Sequence, residues 1–123
     1  MGPFTLLNSI VVSGSYPVWS AGGGPSNCAY SDIPIVSLSK CFTASMFNHN
    51  AVIAVPSAYP ASKWPSGNYF PTSILAVGFI NANNGVGGNY QLLSTSPYKN
   101  AATDGKDLGA DLNAIKAATA GAY

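Results

Sequence analysis

The sequence predicts an all-β domain, and three observations point there. Thirteen Gly and nine Pro are spread over 123 residues, where they interrupt helices. Short runs of Ile, Val and Leu recur roughly every 21 residues, with turn-forming residues between them. Charged residues are only 7% of the chain against 47% hydrophobic, so it collapses rather than staying disordered. A period of about 20 suits a solenoid that repeats one rung. A β-sandwich with strands every 8–12 residues also fits, if about every second strand is counted.

The elements follow in order. Phe4 to Val12 reads as a strand that starts in mid-pattern, as in a truncated chain or one whose first rung pairs with another molecule. Asn8-Ser9-Ile10-Val11-Val12 and Asn50-Ala51-Val52-Ile53-Ala54 share one pattern, 42 residues apart. Between them lies Ala29-Tyr30-Ser31-Asp32-Ile33, then Pro34-Ile35-Val36. Ile74-Leu75-Ala76-Val77 and Leu92-Leu93 continue the rhythm. Gly22-Gly23-Gly24-Pro25, residues 56–60, Pro65-Ser66-Gly67 and Asn83-Asn84-Gly85 supply the turns. Asp111 to Ala118 differs in character. It predicts a short helix with Leu112 and Ile115 on one face, Asp111 at its start and Gly121 as its stop. Such a helix suits the open end of a solenoid, where bare strand edges recruit other chains. The length allows one domain, with strands over 1–100 and a terminal loop and helix over 101–123.

Charge excludes some partners. Five Lys, four Asp, no Arg and no Glu leave a net charge of +1, so no basic stripe exists to neutralise nucleic-acid phosphates. No polybasic membrane anchor is present, and no apolar run is long enough to span a bilayer. Met1-Gly2-Pro3-Phe4 lacks the basic and apolar regions of a signal peptide.

Asp104, Asp107 and Asp111 form the one acidic cluster, with Gly105 and Gly109 allowing a tight loop. Converging carboxylates suit a Ca²⁺ site or the acid/base pair of a glycosidase. They equally suit a turn residue, an ion-pair partner and a helix cap. His49 is the only histidine and a candidate general base, which Asp32 could activate if rungs stack the two. The alternative is an exposed turn histidine. No Gly-x-Ser-x-Gly or His-Glu-x-x-His motif occurs. Trp19, Tyr59, Trp64 and Tyr69 lie in turn-rich segments, notably Tyr16-Pro17-Val18-Trp19 and Tyr59-Pro60-Ala61-Ser62-Lys63-Trp64-Pro65. Such rings either stack on sugars or pack the loops down.

Val77-Gly78-Phe79-Ile80-Asn81, Gly88-Asn89-Tyr90-Gln91-Leu92, Ser96-Pro97-Tyr98-Lys99-Asn100-Ala101 and Thr103-Asp104-Gly105-Lys106-Asp107-Leu108-Gly109-Ala110-Asp111 together resemble the C-terminal end of secreted bacterial right-handed parallel β-helix proteins of the pectate-lyase-like kind. The resemblance covers about a third of the chain. It implies a right-handed parallel β-helix of about five rungs with a short C-terminal capping helix. It implies an extracellular setting, and there Cys28 and Cys41 are a candidate disulfide; in a reducing cytoplasm both are free thiols. The family's lyase chemistry uses an Arg, and this chain has none, so the parent activity does not carry over. The resulting expectation is a structural, self-associating module of a carbohydrate-associated protein, a homo-oligomer through its open N-terminal end, with sugar contacts from the aromatics. The alternative is a small glycoside hydrolase built on the aspartates, with a site formed at a subunit interface.

Overall fold

A computed structural model describes residues 2–19, 22–30 and 33–121. In chain order it holds β1 (Phe4–Leu7), β2 (Ile10–Val12), α1 (Pro34–Cys41), β3 (Ser45–Asn48), β4 (Ala51–Ile53), α2 (Ile74–Val77), β5 (Phe79–Asn81), β6 (Asn89–Leu92) and α3 (Leu112–Thr119). The strands pair only in twos. β1–β3 and β2–β4 are parallel, and β5–β6 is antiparallel.

This is a small mixed α/β domain. The all-β, right-handed parallel β-helix of about five rungs is not its fold. Two of the aliphatic runs expected as strands are helical, for local reasons. Pro34 occupies the first turn of α1 with its φ already set, and Pro34, Ser37, Leu38 and Cys41 are buried at helical spacing. At α2 the Ser73 hydroxyl caps the start by accepting from the Ala76 amide, and Gly78 closes the end at φ 80°. Leu92 pairs in an antiparallel hairpin instead of continuing a parallel stack. The terminal helix α3 forms and is capped by Asp111, yet it buries no residue, so it does not close off an open end as expected.

The two parallel pairs share one register. Phe4 faces Ser45 and Ile10 faces Ala51, an offset of 41 (45 − 4 and 51 − 10). That is one residue less than the motif spacing, so Ser9 rather than Asn8 meets Asn50. The Ser9 amide donates to Asn50 Oδ1 at 3.0 Å. Tyr69 adds an isolated parallel bridge on the other side of Ala51.

Three stacked corners explain this arrangement. Asn8, His49 and Gly67 turn the chain at φ 57°, 52° and 81°, and Ser9, Asn50 and Asn68 follow them. Asn50 is fully buried. Its Nδ2 donates to the Leu6 carbonyl at 2.9 Å and to Asn68 Oδ1 at 3.2 Å. Asn68 Nδ2 donates in turn to the carbonyls of Phe47 and Pro65. Backbone groups that leave the ladders at each bend thus find side-chain partners.

The β2–β4 sheet separates two cores. Ile10, Ala51 and Ile53 pack with Val77, Leu92, Tyr98 and Leu108. Val11 and Val52 face the other way, toward Leu38, Phe47 and Trp64. Strands buried on both faces read as continuous apolar runs rather than alternating ones.

Candidate functional site

The loop after β6 and strand β6 itself line a polar cleft of about 770 Å³ that includes Asp104, Asp107 and Asp111. Each carboxylate there has a local task. Asp104 Oδ1 accepts from the Lys106 amide and closes a turn. Asp107 Oδ2 meets Lys99 Nζ at 2.6 Å, and its Oδ1 accepts from the Asn100 amide. The Lys99 hydrogen bond outweighs partial burial and holds the Asp107 carboxyl below its ordinary value, helped by the Asn100 amide. Asp111 Oδ1 accepts from the Ala114 amide as the cap of α3, and Lys106 lies 3.9 Å from its other oxygen. No group of three or more His, Cys, Asp or Glu among the described residues is arranged to hold a metal ion. Across the cleft, Gln91 Nε2 donates to Asn113 Oδ1 at 2.8 Å and ties β6 to α3.

His49 does not line this cleft. It serves as a corner residue: its amide donates to the Gly67 carbonyl at 2.7 Å, and its Nδ1 lies 3.1 Å from Asn48 Oδ1. Asp32, its suggested partner, lies outside the described residues.

The four candidate sugar-stacking rings separate by burial. Trp64 is only 5% exposed, between Phe47 and Phe70, and its Nε1 donates to the Tyr59 carbonyl at 3.0 Å. It is a core residue and offers no face to a ligand. Tyr59 is half-buried beside it. Tyr69 stands edge-on to Tyr98 at 5.5 Å. Burial and the neighbouring Tyr69 together push the Tyr98 phenol up.

Trp19 differs from these. Its ring lies 4.7 Å from Tyr16 and 6.1 Å from Tyr30, centroid to centroid. Tyr16 is 66% exposed and Tyr30 43%, so the trio forms a continuous aromatic surface. Trp19 Nε1 is buried without an acceptor among the described residues, so the ring offers carbon rather than a donor outward. The segment is held from below. Asn27 Oδ1 accepts from the Ala29 amide, the Tyr30 amide donates to the Asn27 carbonyl, and Cys28 is bonded to Cys41 at the end of α1. Gly23 and Gly24, at φ 84° and 54°, make the preceding bend. The sequence places Trp19 in one turn segment with Tyr16 but does not group them with Tyr30. Eleven positions separate Trp19 from Tyr30 (30 − 19), and only the folded chain brings the two rings within 6.1 Å.

No family model, curated protein or solved structure matches the chain. Its chemistry is therefore read from its own side chains. Asp104, Asp107 and Asp111 are committed to a turn, an ion pair and a helix cap, while Tyr16 and Tyr30 leave ring surface exposed beside Trp19.

Proposed function

We propose that this domain is a saccharide-binding module of an exported protein, acting by recognition rather than by hydrolysis. The observation that carries the reading is the aromatic surface made by exposed Tyr16 and Tyr30 with half-buried Trp19 between them. A pyranose has one face of C–H groups, which stacks on an aromatic ring, and hydroxyls that stay in water at its rim. Three adjoining rings span more than one sugar unit. Residues 1–31 contain no charged side chain, so the surface favours a neutral glycan over an acidic one. The Cys28–Cys41 bond supports an oxidising compartment.

Binding through stacked rings on an open surface is weak, with Kd on the order of 0.1–1 mM. Isothermal titration with neutral gluco-, xylo- and mannooligosaccharides tests this. Trp64 is enclosed, so a change in tryptophan emission on binding reports Trp19. Trp19→Ala should weaken binding at least about tenfold, a loss of about 1.4 kcal/mol. Binding that survives Trp19→Ala and Tyr16→Ala but disappears with Gln91→Ala would move the site to the polar cleft. Sugar turnover lost in Asp107→Asn, with the fold intact, would replace recognition by hydrolysis.

A further inference from the structure

We infer that the outer edge of β2, the strand next after β1, is a homodimer interface, at which two copies of this chain join their β2 strands antiparallel around a two-fold axis.

Both strands are paired on one side only. β1 has β3 and β2 has β4, and no other strand among the described residues joins them. In β2 the ladder uses the Ser9 carbonyl, which accepts from Ala51, and the Ser13 amide, which donates to Ile53. Backbone groups alternate sides along a strand, so Val11 also points to β4 while Ile10 and Val12 point outward. In β1 the Phe4 amide donates to Ala44, which leaves Thr5 outward. The loop after β6 bonds to this edge at Asn8, whose carbonyl accepts from the Gly109 amide and whose side chain meets Thr103, and it packs Leu108 and Gly109 against the Ile10 side chain without taking the Ile10 or Val12 backbone groups.

Edges of this kind are normally blunted by Lys, Pro or a bulge. This one carries none of these. Residues 4–12 hold no charge and no Pro, and β1 and β2 pair without a register shift. Val12 is 63% exposed. Beside β2 runs an open groove of about 630 Å³ whose lining includes Leu7, Ile10, Val11, Phe79 and Leu112.

The occupant that fits is a second copy. The edge is neutral, so two identical edges meet without repulsion, and a charged partner finds nothing to pair with. With Val11 on the axis, Ile10 of one copy faces Val12 of the other. Both residues have outward amides and carbonyls, so each such pair closes two backbone hydrogen bonds, and the two-fold repeats them.

The test is mass by light scattering across roughly a hundredfold dilution, on the oxidised full chain. The expected result is twice the 12.6 kDa chain mass at high concentration, falling on dilution. Val12→Pro removes an amide that β4 does not use, so the fold should stand while the dimer is lost. Val12→Lys should act in the same way through charge. Circular dichroism and melting confirm that both variants fold. A wild-type monomer at every concentration overturns the proposal, and so does a dimer that survives both folded variants.

Discussion

Asn50 sits at the middle of the three stacked corners, and removing its side chain is the sharpest test of how they hold together. Asn50→Ala deletes the acceptor of the Ser9 amide and the donor to the Leu6 carbonyl, both in a part-buried setting. It also breaks the contact with Asn68. An unsatisfied buried group costs about 1–3 kcal/mol, so two partly buried ones amount to about 3 kcal/mol together. That is a large share of the roughly 5–15 kcal/mol that holds a typical domain. With a urea dependence of about 2 kcal/mol per molar, the midpoint should fall by about 1.5 M. Asn50→Asp keeps the acceptor but loses the donors and adds a charge, so it should do at least as much damage at neutral pH. Ser37→Ala is the control. Ser37 is equally buried, but its hydroxyl has no partner among the described residues. Its removal should leave stability unchanged or raise it by up to about 1 kcal/mol. An Asn50→Ala midpoint within error of wild type would refute the account of the corners, whatever Ser37→Ala does.

Other outcomes follow from single sites. Gly67 turns its corner at φ 81°, so Gly67→Ala should cost about 1–2 kcal/mol, whereas Gly67→Asn should cost less because Asn8 already holds the same conformation in a neighbouring corner; urea melts compare them. Lys99 depresses the Asp107 carboxyl below its ordinary 3.8, so Asp107 adds stability above that pH and loses it as pH falls through the lower folded value. The pair is partly exposed, so the effect is small, and melting temperature against pH should slope less steeply below about pH 3.8 in Asp107→Asn than in wild type. Reducing the Cys28–Cys41 bond frees a loop with a sequence separation of 13, and denaturation with and without reductant should differ by about 3 kcal/mol.

Local chemistry was legible wherever a residue acts through its immediate neighbours. The Asp111 cap, the turn at Asp104, the turn glycines and the low charge are readable because the partner lies within a few positions. Two apolar runs misread as strands, 34–36 and 74–77, show the limit of that reading. A run of four or fewer aliphatics has no decisive period, and the flanking Pro34, Ser73 and Gly78 were the better guide. The parallel register shows the same limit, since the motif alone placed Asn50 one residue away from its true partner.

The sequence by itself determined that the chain collapses, that it turns often, that its first 31 residues hold no charged side chain, and that three of its four aspartates cluster in one loop. Only the tertiary structure decided that Trp64 is enclosed while Trp19 joins Tyr16 and Tyr30 on the surface, that Asp107 takes Lys99, and that His49 turns a corner. The physical reason is range. Composition and caps act over a few residues, whereas ring contacts, ion pairs and burial depend on which distant segments the packed core brings together.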